Sequence, residues 1–183
     1  MISFFQTHLD LVEPTAVWSL EEYNMLPKPF IPEPLADDDR YVRDKTGGLV
    51  WHRCRNRVLY ADTDRSQIVY HSNYLRYFEF ARASLMRDTA YTYRQIEEGG
   101  HVYPIIEIGV TYHTPLRYDD PMWIHTHPAK LERVRLRFDY VITHEETEDI
   151  VCKGFTRHCS INSSGVPVAI DEKTRHLWKI FPK

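Results

Sequence analysis

Residues 57–82 read RVLYADTDRSQIVYHSNYLRYFEFAR, and the order of features in this stretch decides the fold. Leu49 to Tyr60, which leads into it, is rich in β-formers and free of Gly and Pro, so it predicts a strand. That strand stops at two aspartates held one residue apart, Asp62 and Asp64. A polar loop, Arg65 to Tyr70, follows, after which Ser72 or Asn73 can cap a helix. Tyr74, Phe78, Ala81 and Leu85 fall at spacings of 4, 3 and 4, a single stripe suited to burial. Gly99-Gly100 is the natural stop, which predicts a helix running to about Glu98.

Downstream, four more strands are predicted, His101 to His113, Met122 to Leu131, Val134 to Thr143 and Asp149 to Asn162, with turn residues at 118–121, 144–148 and 163–165. Val134, Leu136, Phe138, Tyr140 and Ile142 share one face and Arg133, Arg135 and Arg137 the other; Val102, Ile106, Ile108, Val110 and Tyr112 make a second apolar face. Residues 166–170 add a short final strand before a closing helix from Asp171 to Ile180. One strand, one long helix and an antiparallel meander make an α+β chain, a sheet of about five strands whose apolar face wraps the helix.

Upstream, residues 1–48 have a different texture, with Pro14, Pro27, Pro29, Pro32 and Pro34 and the acidic run Asp37 to Asp39. The division expected is an N-terminal arm, 1–48, and a domain, 49–183. Ser19-Leu20-Glu21-Glu22 has the capping-box pattern for a short helix, and PKPFIPEP favours an extended polyproline path. The arm carries Phe4, Phe5, Trp18, Tyr23 and Phe30, too much apolar surface for a solvated tail, so it is expected to pack on the domain or on a second subunit.

The 183 residues suffice for a real core, and 43% apolar with 27% charged residues is the balance of a globular protein. A net charge of −3 argues against nucleic acid, whose phosphates require a basic face. No apolar run reaches the roughly 18 residues of a membrane span, and the first residues lack a secretory pattern, which leaves the cytoplasm as the expected location. Cys54, Cys152 and Cys159 lack CxxC spacing and are read as reduced structural thiols. His125 and His127 share a strand face, but solvated or packed histidines are favoured over a metal site with His113 or His158, and no metal or cofactor is expected.

The paired aspartates admit two readings. Aspartate readily makes local turn hydrogen bonds, so the pair can be pure turn chemistry. Alternatively, a carboxylate faces the first N–H groups of the helix, which lack intrahelical partners and suit a developing oxyanion. Ser163-Ser164-Gly165 lacks the strand-to-helix setting of a nucleophile elbow and is read as a turn.

YADTDRSQIVYHSNYLRYFEFAR closely resembles the signature of the 4-hydroxybenzoyl-CoA thioesterase family of hotdog-fold acyl-CoA thioesterases: a D-x-D pair, a short loop, V-Y-H-x-N-Y and the first helix turns. The resemblance covers about residues 49 to 170. It implies a sheet wrapped around a central helix, a homodimer or dimer of dimers with sites at the subunit interface, and an acyl-CoA or acyl-carrier-protein substrate. It also implies Asp64 as the catalytic carboxylate and the backbone N–H of His71 as the group that polarises the thioester carbonyl. Tyr70, His71 and Asn73 would shape the acyl pocket or support the loop, and Asp62 would brace the turn. Family members commonly carry Gly where this chain has Gln67, which would alter the loop path, narrow the pocket or contact substrate. Arg117, Arg137 and Arg157 are candidates for the phosphates of coenzyme A. Two alternatives stay open: an acyl-thioester-binding module without turnover, and hydratase or dehydratase chemistry on an acyl thioester.

Overall fold

A sheet face made of every second residue needs a layer to bury it, and here a single helix supplies that layer. The computed structural model describes residues 28–35 and 38–182. Its elements are β1 (Pro32–Leu35), β2 (Asp38–Asp44), β3 (Val50–Arg57), a 3-10 turn (Tyr60–Asp62), α1 (Asn73–Asp88), α2 (Tyr93–Glu98), β4 (Ile105–Tyr112), β5 (Pro121–Leu131), β6 (Arg135–His144), β7 (Ile150–Cys159) and α3 (Glu172–Ile180). The seven strands form one sheet in the order β1-β2-β3-β5-β6-β7-β4, antiparallel throughout.

Alternation places Leu136, Phe138, Tyr140 and Ile142 of β6 in the core with Tyr74, Phe78, Ala81 and Leu85 of α1. Burying side chains the size of Phe78, Leu85 and Ile142 contributes roughly 1.5–3 kcal/mol each. The Phe78 ring lies flat on Tyr140, centroids 4.3 Å apart and planes 8° from parallel. Gly154 of β7, the partner of Tyr140, permits that approach, because a Cβ there would meet the Gly109 carbonyl oxygen at 2.6 Å and Phe78 at 2.7 Å.

The opposite face of the sheet carries a smaller core of Phe30, Val42, Trp51 and Val141. Phe30 sets its ring edge-on against Trp51 and the fully buried His125, at 5.5 and 4.7 Å. The Asp44 carboxylate holds the approach to this core by accepting the Ile31 N–H at 3.1 Å. Residues 32–35 and 38–44 thereby enlarge the expected sheet of about five strands to seven. Pro32 and Pro34 lie on the outermost strand, where a missing N–H costs no ladder bond. The Ser19 capping-box pattern lies outside the described residues.

Three expectations are corrected. The helix predicted to reach Glu98 ends at Asp88: Thr89 Oγ1 donates to the Leu85 and Met86 carbonyls, Ala90 turns left-handed (φ 56°) and α2 begins afresh. Thr92 and Gln95 make a reciprocal capping box for α2, so Thr92-Tyr93-Arg94-Gln95 is the overlooked signal. The apolar face of residues 102–112 is largely open, with Ile106 49% and Tyr112 46% exposed while Val110 packs against the core; among the described residues β4 is an edge strand paired with β7 alone. Residues 166–170 form no strand, only a bridge from Pro167 to Ile161. The closing helix is found as expected, with Asp171 accepting the Thr174 N–H at its start.

Candidate active site

Between β3 and α1 the chain makes a very short hairpin, and its geometry follows from hydrogen bonds within residues 59–73. Thr63 bridges Val69, the Asp64 N–H donates to Ile68 O at 3.0 Å, and the Gln67 N–H donates to Asp64 O at 2.9 Å. This is a three-residue hairpin loop whose last residue must be left-handed, and Gln67 has φ 62°. A glycine would fit that position without strain, whereas Gln67 holds it at a cost. Gln67 itself is exposed on the loop.

The two aspartates part company here. Asp62 is 2% exposed and accepts from the Leu59 N–H (3.1 Å), the Tyr77 hydroxyl (2.8 Å) and Arg76 Nη1 (3.2 Å). Its backbone carbonyl takes the Tyr70 N–H and Asn73 Nδ2, at 2.9 and 2.8 Å. Burial, with the Asp62 bond acting in the same direction, pushes the Tyr77 phenol well above its ordinary pKa. Asp64, in contrast, is exposed; one carboxylate oxygen accepts the Ser66 N–H at 2.7 Å.

Removing the Asp62 carboxylate would strand a phenol and a backbone N–H. Asp62→Ala is expected to cost about 3 kcal/mol, lowering the melting temperature by roughly 6–12 °C. An unchanged melt would show that the brace lies elsewhere. Gln67→Gly is expected to act in the other direction, relieving about 1 kcal/mol of left-handed strain and raising the melting temperature a few degrees. A fall on Gln67→Gly would show that the Gln67 side chain stabilises the loop.

The second arm of the hairpin runs into α1. Ser72 occupies the N-cap but makes no side-chain cap, and the Asn73 amide turns back to the loop instead. The N–H groups of His71 and Ser72 have no acceptor among the described residues. Tyr70, 44% exposed, rests its ring against that of His71, centroids 4.3 Å apart. One short ribbon therefore carries an exposed carboxylate on one side and unpaired helix-start donors on the other, a set suited to attack on an activated carbonyl.

A matching family model, described as the thioesterase-like superfamily, covers residues 58–177. The chain belongs to that superfamily. A relative from Aquifex aeolicus (strain VF5) is 33% identical over 125 residues, which is 68% of this chain and 95% of that protein. An acyl-CoA thioester hydrolase of Escherichia coli, YbgC, is 29% identical over 90 residues, 49% of this chain and 67% of its own length. Among solved structures, a hypothetical protein from Aquifex aeolicus superposes with a TM-score of 0.65 at 32% identity, spanning 69% of this chain and 98% of that one. The sheet wrapped on α1 is the hotdog fold of the superfamily, as the resemblance implied.

Within this thioesterase-like fold the three arginines separate. Arg117 is exposed and adjoins the hairpin, since its neighbour Leu116 accepts the Val69 N–H at 2.8 Å. Arg137 and Arg157 face each other across β6 and β7 on the face opposite α1, each against a carboxylate: Asp139 at 2.6 Å and Glu107 at 2.5 Å. Arg137 also lines a groove of about 500 Å³ with Phe30, Trp51, Lys153 and Phe155. None of the groove's lining residues belongs to the hairpin, so the chemistry is placed by its groups rather than by cavity size. His125 and His127 lie on that same outer face, whereas His158 points inward, and among the described residues no cluster of His, Cys, Asp or Glu gathers to hold a metal ion. No described helix is long and apolar enough to cross a membrane. Tyr77 and Arg76 both bond to Asp62, and the helix stripe in the sequence, which marks burial alone, carries no sign of it.

Proposed function

We propose that this chain hydrolyses acyl-CoA thioesters to a free acid and coenzyme A, as the 4-hydroxybenzoyl-CoA thioesterase type of hotdog enzyme does. The observation that carries this reading is the exposed Asp64 carboxylate on the same short ribbon as the unpaired His71 N–H. In one route Asp64 adds to the thioester carbonyl, the C–S bond breaks, the thiolate leaves and takes a proton, and water cleaves the resulting anhydride. In the other, Asp64 takes a proton from water, which attacks directly. Both routes give the same acid and thiol, and in both the His71 N–H meets the oxygen that becomes negative.

In this reading Tyr70 and Gln67 border the acyl group, Asn73 holds the ribbon to Asp62, and Arg117 is the best placed of the three arginines for a coenzyme A phosphate. Acyl-carrier-protein thioesters share the reacting group and belong to the same test. The open face of β4 supports a homodimer, because an eight-residue edge strand with exposed Ile105, Ile106 and Ile108 is a ready surface for a second chain. A dimer of dimers is the larger assembly of the same kind. No cofactor enters either route.

The test is release of free thiol from a panel of acyl-CoAs, aromatic and aliphatic, by the native protein. Turnover of at least one member is expected. Tight acyl-CoA binding with no thiol released would make the chain a binding module, and water added to an enoyl-CoA with its thioester intact would make it a hydratase.

A further inference from the structure

The two unpaired donors at the start of α1 are aimed by what their carbonyl neighbours do. In a trans peptide the C=O and N–H point in opposite directions, so fixing one aims the other. The Tyr70 carbonyl accepts the Asn73 N–H at 2.8 Å, which turns the His71 N–H outward. The next peptide has a less usual partner. In a regular helix the His71 carbonyl would accept from Leu75, but the Leu75 N–H goes to Ser72 O at 3.1 Å. The Tyr112 hydroxyl, 41 residues away on β4, donates to the His71 carbonyl instead, at 2.7 Å.

Tyr112 is itself well placed to do this. Its ring packs against buried Tyr74 with centroids 5.2 Å apart, and burial raises its phenol pKa, so it stays a donor across the neutral range. The same residue is 46% exposed on β4, beside the start of α1 rather than in the core.

We infer that Tyr112 is a positioning residue: its hydroxyl fixes the His71–Ser72 peptide so that the Ser72 N–H joins the His71 N–H as a second donor to the acyl oxygen. This rests on the hydrolase reading above. The contribution is twofold. It orients the N–H before the charge forms, and a hydrogen bond to the carbonyl of an amide polarises that amide and strengthens its N–H as a donor. In this role Tyr112 acts through the peptide and not on the reacting atoms.

The test is Tyr112→Phe in the full chain beside Asp64→Asn, with kcat and KM on an accepted acyl-CoA and the Ser72 amide followed by 15N–1H NMR. The phenyl ring keeps the packing on Tyr74. Loss of one oxyanion donor costs about 100- to 1000-fold in kcat, so loosening one is expected to cost about 10- to 100-fold, with KM within twofold and the Ser72 resonance displaced. Unchanged kcat in Tyr112→Phe while Asp64→Asn is inactive overturns the inference and leaves the hydrolase reading standing. Native activity in Asp64→Asn removes that carboxylate from the mechanism, and the role of Tyr112 is then decided by the amide. An unmoved Ser72 resonance, or a loss carried by KM, also overturns it.

Discussion

Asp64→Asn is expected to lower thiol release by at least about 100-fold while leaving the melting temperature unchanged. The expectation separates chemistry from architecture because the two functions of Asp64 use different properties of its side chain. Its structural function is to accept the Ser66 N–H, and an asparagine Oδ1 accepts that bond equally well. Its proposed chemical function needs an ionised carboxylate, as nucleophile or as base, and a neutral amide supplies neither. Asp62→Asn would not make the same cut, since Asp62 spends its carboxylate on Leu59, Tyr77 and Arg76. Thiol release by Asp64→Asn at the native rate would remove Asp64 from the mechanism.

Acid should unfold this protein early. His125 is fully buried, and burial, aided by Arg53 and by His52 of β3 and opposed by Asp44 of β2, brings its pKa down to about 3. Burial and Arg82 of α1 bring His158 down to about 4, against the opposing hydrogen bond with the Tyr103 carbonyl. Burial also lowers His52, in part offset by its 2.7 Å contact with Asp88. Each folded pKa is depressed below the unfolded value of about 6.5, so the unfolded chain takes up protons that the folded chain refuses. Stability is full above pH 6.5 and falls as the pH drops towards 4 and 3. The slope approaches about 1.4 kcal/mol per pH unit for each histidine below pH 6.5, so His125 and His158 together remove about 3 kcal/mol between pH 6.5 and 5. Against a total stability of about 5–15 kcal/mol that is a large loss. Denaturant melts across this range are expected to show it, and His158→Gln to flatten the slope by one histidine. A melt independent of pH between 7 and 5 would mean that the folded state can protonate these rings.

Much of the fold could be read from periodicity because β6 alternates cleanly and α1 repeats its stripe. The errors fall where local hydrogen bonding overrides the stripe. Apolar spacing continues past Asp88, yet the Thr89 side chain and left-handed Ala90 end α1, and only the Thr92-to-Gln95 pattern records it. The apolar face of β4 stands largely open: periodicity tells which residues share a face, not what covers it. At the site, the D-x-D spacing announces a turn, and the structure shows why its two members differ: one carboxylate is enclosed by α1 and the other is exposed, holding the Ser66 N–H of its own loop. The bond from Tyr112 to His71 joins residues 41 positions apart, which no local pattern encodes. The expected polyproline path of PKPFIPEP became in part a strand, because an edge position tolerates proline.

Gly154 sets the clearance between α1 and the sheet through its contact with Phe78. Phe78 stands seven residues after His71, about 10 Å along the helix axis. The absent side chain at 154 is thus a datum from which the helix start is measured, and a misfit there would be carried along a rigid lever to the donors. A substitution on the exposed hairpin, as at Tyr70, leaves that datum in place, whereas exchanging Gly154 would shift the whole frame of reference at once.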